Sequence, residues 1–91
     1  MIASFRDPEA EKIFNDRFSK RYQAIEKTAR RKLYQLHQAR SLHDLALPGN
    51  HLEFLKGDRA GQSSVRINDQ FRVCFRWSGT DAHEVEIADY H

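Results

Sequence analysis

Three arginines recur at alternate positions of a segment whose apolar residues also alternate: Arg66, Arg72 and Arg76. Guanidinium groups can neutralise a phosphate and stabilise the charge that develops when a phosphodiester is cleaved. Burying an arginine is costly, so three of them on one sheet face predict a face open to water or to an anion. A solvated face with cross-strand ion pairs to Glu84 and Glu86 would produce the same pattern.

The segment Asp89-Tyr90-His91 adds groups that can transfer protons. It follows directly on a predicted strand, which would hold it against the sheet. Without a metal, RNA is cleaved when its 2′-hydroxyl attacks the adjacent phosphorus, which needs a base, an acid and cations. These residues together supply the parts of a phosphodiester-cleaving site. The alternative is that Tyr90 completes the core and His91 is a solvated terminus.

Length and composition limit the possible classes of protein. The 91 residues predict one domain, 1–91, and the net charge of +2 makes the chain mildly basic. With Cys74 alone, an internal disulfide and a cysteine-based zinc cage are excluded, and the five scattered histidines show no ligand spacing. No metal or cofactor is expected. With no membrane-spanning run or secretory signal in the sequence, we expect a cytoplasmic protein without a membrane partner.

The positive charge is unevenly distributed along the chain. Residues 20–40 hold seven positive side chains and one acid, Glu26, and acids cluster near both ends of the chain. Clustered charge of one sign favours an anionic partner on one surface. On the helix predicted here, the outward face must carry Lys27, Arg30 and Arg31.

The first half of the chain shows helical spacing. Asp7 and Pro8 predict a helix start, and apolar residues then recur as far as Phe18. Ser19 is predicted to cap a second helix of about five turns, and Ser41 a short turn that ends before Pro48. The second helix has an apolar stripe made of Ile25, Ala29, Leu33 and Leu36.

After Pro48 the apolar period becomes two. Strands are predicted around Val65–Ile67, Phe71–Trp77 and Val85–Ile87, with further strands at 52–55 and 2–5. Helices followed by an antiparallel meander predict an α+β domain whose helices cover one sheet face. Strand parity places the three arginines on the face opposite the aromatic row.

The run LKGDRAGQSSVRINDQFRVCF at 55–75, closed by VEIADYH at 85–91, resembles the HigB-type toxins of the RelE superfamily. These are the toxin halves of type II toxin-antitoxin modules. The resemblance covers nearly the whole chain, and its specific part is residues 52–91. It implies the RelE-like microbial RNase fold, with N-terminal helices on one face of a small antiparallel sheet.

The resemblance also implies an activity, that of a ribosome-dependent mRNA interferase. Such a metal-independent endoribonuclease enters the ribosomal 30S A site, cleaves the exposed codon of the mRNA and inhibits translation. The implied partners are the ribosome, mRNA and a cognate HigA-like helix-turn-helix antitoxin. Two other functions stay open from the residues alone, namely a non-catalytic RNA- or ribosome-binding module and a protein-interaction module.

Family roles carry over to the positions that match the motif. Lys56 and Arg72 would stabilise the transition-state phosphate. Tyr90 and His91 would transfer protons or orient the 2′-hydroxyl, and Asp89 would position these neighbours. The residues leave open which group is the base and which is the acid.

One position departs from the family pattern. Some relatives have a histidine three residues before the motif lysine, where this chain has Glu53, and His51 stands two residues earlier. Glu53 could be a base if its pKa rises, His51 could replace it, or neither takes part. Of the remaining cations, Arg59 either pairs with Asp58 or meets RNA. The other predicted RNA contacts are Arg66, Arg76, Lys27, Arg30 and Arg31.

Overall fold

Two helices lie on one face of a four-stranded antiparallel sheet in the computed structural model, which describes residues 1–89. The helices are α1 (Pro8–Phe14) and α2 (Glu26–Gln38), and the strands are β1 (Glu53–Phe54), β2 (Ser63–Arg66), β3 (Phe71–Ser78) and β4 (Asp81–Asp89). The strands are neighbours in chain order, β1-β2-β3-β4, so the sheet is a meander. The predicted α+β fold is confirmed. No helix within residues 1–89 is long and apolar enough to cross a membrane.

Helix α1 begins as predicted and ends early. The Asp7 carboxylate accepts a hydrogen bond from the Glu9 N–H at 2.9 Å, and Pro8 occupies the first turn, where a missing N–H costs nothing. The helix stops at Phe14 because Asp16 adopts a φ of 61°. The predicted continuation to Phe18 is wrong, and Phe18 is 61% exposed.

Helix α2 starts later than predicted. Ser19 does not cap it: the Ser19 hydroxyl accepts a hydrogen bond from the Tyr22 N–H at 3.4 Å and donates one to Glu9 at 2.8 Å. A 3₁₀ turn, Gln23–Ile25, then leads into the helix. Its 13 residues make about three and a half turns instead of five. The predicted stripe is confirmed, since its four members are all buried: Ile25, Ala29, Leu33 and Leu36. The predicted short turn is also present, as a 3₁₀ helix over Leu42–Leu45.

The three long strands bring their apolar faces together under the helices. Val65, Val73 and Ile87 are aligned across β2, β3 and β4 and belong to the core. At the edges the chain is less regular than predicted, because β1 is only two residues long. Ile2 and Phe5 form isolated parallel bridges to Ala82 and Val85 of β4 instead of a strand.

A β-bulge changes the register within β4. Between Cys74 and Arg76 the pairing of β3 with β4 shifts by one residue, and Glu84 adopts a φ of 53°. The extra residue lets Ala82 and Val85, three positions apart, both reach the core. The bulge also brings Glu84 within 2.9 Å of the Arg76 guanidinium.

Candidate functional site

The sheet face opposite the helices carries the alternating cations of β2 and β3, and we call it the arginine face. Arg66 and Arg72 are paired in register, and Arg76 follows on the same side of β3. Their sequence neighbours Val65, Val73 and Phe75 point into the core instead. The predicted separation of the arginines from the apolar row is therefore confirmed.

Arg72 is buried, with only 9% of its surface exposed, so the prediction that all three arginines are open to water is wrong for this residue. Its Nε donates to the Ser64 hydroxyl at 2.7 Å, and its Nη2 donates to the carbonyl oxygen of His51. Strand parity assigns Arg72 to a face, but it does not reveal that the chain at His51 covers that part of the face. The guanidinium is held in one orientation by neutral acceptors.

One carboxylate lies near Arg72 among the described residues. Glu53 Oε1 is 3.8 Å from Arg72 Nη1, and the Glu53 side chain is 60% exposed. An ion pair at this distance and exposure is weak, so within residues 1–89 most of the positive charge of Arg72 stays uncompensated. His51, the alternative to Glu53, contacts Arg72 through its backbone carbonyl. Of Glu53 and His51, only Glu53 places its side chain near the Arg72 guanidinium in a contact that the structure shows.

Lys56 and Asp89 lie on either side of Arg72 in the strand order. Lys56 is exposed just after β1, and within residues 1–89 its amine makes no side-chain hydrogen bond or ion pair. Asp89 is the final residue of β4 and accepts a hydrogen bond from Gln70 Nε2 at 3.0 Å. Because Arg72 pairs with Ala88, Asp89 comes one residue beyond the partner of Arg72. Tyr90 and His91 lie outside the described residues.

The other cations of this face each have a carboxylate partner. Arg66 pairs with Asp69, which is almost fully exposed. Arg76 Nε lies 2.9 Å from Glu84, and Arg59 Nη1 lies 3.4 Å from Glu86. Of the ion pairs expected between the sheet arginines and Glu84 and Glu86, the one between Arg76 and Glu84 is confirmed. Glu86 instead pairs with Arg59 and Arg6, which lie outside β2 and β3.

The cations of α2 lie on the opposite side of the sheet. Lys27, Arg31 and Tyr34 line an open groove of about 480 Å³. Within residues 1–89, Lys27 and Arg31 form no ion pair. Arg30 differs from them, because its guanidinium lies 3.0 Å from Asp16 and 2.9 Å from Glu26 and also donates to the carbonyl of Ile13. The hydrogen bond to Glu26 raises the pKa of Arg30.

Sequence reasoning missed Ser64, Asn50 and Lys32, which contact Arg72 or the chain segment that holds it. Lys32 is buried on α2, where burial lowers the pKa of its amine and the positive charges of Arg31 and Arg66 lower it further. A signal was available for this residue: it stands three positions after Ala29 and four before Leu36, within the apolar stripe.

Comparison with solved structures identifies the fold. A chain of the YoeB-YefM toxin-antitoxin heterotetramer from Staphylococcus aureus superposes with a TM-score of 0.62 at 20% identity, over 100% of this chain and 98% of that chain. A second YoeB-YefM complex from the same organism gives a TM-score of 0.57 at 19% identity, with the same coverage. The fold is that of a RelE-like toxin.

The family follows from sequence comparisons. A family model described as the RelE-like toxin of the type II toxin-antitoxin system HigB matches residues 3–91. Toxin HigB-1 of Vibrio cholerae serotype O1 is 37% identical over 82 residues, which cover 85% of this chain and 84% of that protein. The chain belongs to the HigB family of RelE-like toxins of type II toxin-antitoxin systems, which confirms the resemblance seen in its motifs.

Proposed function

We propose that this protein is a metal-independent endoribonuclease that cleaves mRNA in the ribosomal A site and thereby inhibits translation. The observation that carries the proposal is Arg72. Its guanidinium is buried, oriented by Ser64 and the His51 carbonyl, and only weakly compensated by Glu53 at 3.8 Å. A cation held in advance of the reaction is suited to stabilise charge that develops on a phosphate.

In the proposed reaction, the 2′-oxygen of one nucleotide forms a bond to the adjacent phosphorus while the bond from phosphorus to the 5′-oxygen breaks. A base takes the proton of the 2′-hydroxyl, and an acid gives a proton to the leaving 5′-oxygen. Glu53 and the pair Tyr90 and His91 are the groups proposed for these transfers. Arg72 and Lys56 stabilise the phosphate, and Asp89 positions its two successors.

RNA contact is proposed for cations on both sides of the sheet. Arg59, Arg66 and Arg76 each exchange a carboxylate for a backbone phosphate. The carboxylates that pair with Arg66 and Arg76 are exposed, and exposed ion pairs contribute only about 1 kcal/mol or less. Lys27 and Arg31 contact RNA from the helical side. Cations on two opposite surfaces fit a protein that enters a cleft lined by RNA. Such a cleft also positions the substrate, which contributes to rate.

Arg30 was grouped with the RNA-binding cations by sequence, and its contacts favour a different role. Two carboxylates and the Ile13 carbonyl occupy its guanidinium, and this carbonyl belongs to the last turn of α1. We assign Arg30 to the connection between α1 and α2.

The partner proposed for this toxin is a HigA-like helix-turn-helix antitoxin. Family membership supports an antitoxin, and the two structural neighbours are toxin-antitoxin complexes. Because ribosomes and mRNA are its proposed targets, we place the protein in the cytoplasm.

Primer extension on a reporter message in a reconstituted translation reaction tests the function. The wild-type chain is compared with the Tyr90→Phe/His91→Ala double variant, each with and without ribosomes, and His43→Ala is the control for an exposed histidine elsewhere. We expect breaks within codons only with ribosomes, for the wild type and His43→Ala. Stalled translation on an intact message would instead identify a non-catalytic ribosome-binding module. Efficient cleavage of naked RNA would contradict ribosome dependence.

A further inference from the structure

The helical layer and the arginine face are connected through a buried lysine. Lys32 is 8% exposed, and its amine donates a hydrogen bond to Asn50 Oδ1 at 2.6 Å. Within residues 1–89 it has no carboxylate partner, and its charged neighbours Arg31 and Arg66 are positive. An apolar side chain at this place would avoid the cost of burying an amine, so packing alone does not account for the lysine.

Asn50 occupies the junction between the two layers. It is 1% exposed, and its Nδ2 donates to the Leu45 carbonyl at 3.1 Å and to Gln35 Oε1 at 3.2 Å. Its own carbonyl accepts the Arg66 N–H at 2.6 Å. The side chain of Asn50 is therefore held by the helical layer while its backbone is tied to β2.

The next residue completes the connection. His51 adopts a φ of 46°, an unusual conformation for a residue with a side chain, and its carbonyl accepts a hydrogen bond from Arg72 Nη2. A backbone in this region persists only where its surroundings hold it. The contacts that hold Asn50 therefore also determine where the His51 carbonyl points.

We propose that Lys32 is a positioning residue, which fixes Asn50 and, through the His51 carbonyl, sets the orientation of the Arg72 guanidinium. The proposal rests on the proposed function only for its effect on cleavage. The orientation of Arg72 can be measured without any RNA, so the two proposals can fail separately.

The test is the Lys32→Met variant, which keeps an unbranched side chain and removes the donor to Asn50. The readout is the ¹H–¹⁵N signal of Arg72 Nε, assigned with Arg72→Lys, together with its rate of exchange with water. Arg30 Nε, bonded to the Ile13 carbonyl at 2.9 Å, is an internal reference on the same helix as Lys32. Lys20→Met removes the same charge from an exposed position and is the matched control.

In Lys32→Met we expect the Arg72 signal to move and its exchange to become several-fold faster, while the Arg30 signal is unchanged. In the cleavage assay kcat should fall by ~10-fold to ~100-fold with KM nearly constant, because the variant misplaces the Arg72 guanidinium, which contacts the phosphate in the transition state. Lys20→Met should behave as the wild type in both measurements.

An unchanged Arg72 signal in the folded variant overturns the proposal, and so does an equal change at Arg30, which would indicate general loosening of the fold. If Lys32→Met does not fold, Lys32→Leu removes the same donor with a different apolar side chain and leaves Asn50 in place, and the same two signals decide. Should the wild-type chain cleave no message, the proposed function fails while the spectra still test the role of Lys32.

Discussion

The sheet and the helical layer each enclose one arginine, and the two are held in opposite ways. The Arg30 side chain is 18% exposed and lies about 3 Å from two carboxylates, those of Asp16 and Glu26. The Arg72 side chain is 11% exposed and has neutral oxygens as its close partners, with Glu53 at 3.8 Å. The first arrangement neutralises a charge and connects two helices, whereas the second holds in place a charge that no carboxylate of residues 1–89 approaches closer than 3.8 Å.

Replacement of Arg72 should have the largest effect on activity. Arg72→Lys keeps the charge but loses the donor geometry to Ser64 and the His51 carbonyl. We expect single-turnover cleavage of ribosome-bound message to fall by ~100-fold or more, the usual size for the loss of one oriented transition-state donor. A rate within ~3-fold of the wild type in a folded Arg72→Lys protein would remove Arg72 from the mechanism.

Replacement of Arg30 should instead affect stability. Arg30→Met leaves the Ile13 carbonyl and two carboxylates without this partner, and we expect the free energy of unfolding to fall by about 1–3 kcal/mol. Urea denaturation measures it, with Arg31→Met as the control on the exposed side of α2, for which a change within about 0.5 kcal/mol is expected. If Arg30→Met abolishes cleavage while the free energy of unfolding is unchanged, the assignment of Arg30 to stability and of Arg72 to activity is wrong.

Alanine variants of two glycines separate the cost of an unfavourable backbone conformation from the cost of a clash with the Arg76 side chain. Gly49 and Gly61 share a φ of 88°, but only at Gly61 would an added Cβ meet a side chain, at 2.7 Å from Arg76 Nη1. Both alanine variants should lose about 1 kcal/mol of stability from the backbone conformation. Gly61→Ala should lose a few tenths of a kcal/mol more, because the new Cβ displaces the Arg76 guanidinium from Glu84. This extra loss is about the contribution of one exposed ion pair. In an Arg76→Ala background this excess should disappear, and an excess that persists would show another cause.

The smallest expected effect is the pH dependence that Lys32 contributes. Burial lowers its pKa in the folded chain below the ordinary value of about 10.4. Between the two pKa values the unfolded chain binds a proton that the folded chain has released, so stability rises with pH in that window. Relative to Lys32→Met, the wild type should therefore gain stability between pH 7 and pH 10.5 in chemical denaturation. A constant difference between the two proteins would contradict the lowered pKa.

The regular parts of both layers could be predicted from the sequence. The alternation of β2 and β3 across a short polar link leaves one pairing that buries Val65 and Val73 together, and the structure has it. The stripe of α2 is equally clear in its spacing. The helix ends were harder to predict, because Phe18 continues the apolar spacing of α1 while the backbone at Asp16 has already turned away.

The candidate site was predictable in its residue types and not in its environment. Periodicity places Arg72 on the face opposite the core, but the His51 carbonyl that accepts its hydrogen bond belongs to an irregular segment with no repeating pattern. The bulge at Glu84 has no glycine to indicate it, and it decides which carboxylate reaches Arg76. Long-range contacts of irregular segments leave little trace in local spacing.

The pairing of residues 2–5 with β4 also constrains when the molecule can finish folding. Ile2 bridges Ala82 and Phe5 bridges Val85, so each contact joins residues 80 positions apart. A growing chain emerges from its amino end, and contacts of such separation close late. The start of the chain must therefore wait, unpaired, until β4 has been synthesised. The toxin completes its structure only after the ribosome has made nearly all of it.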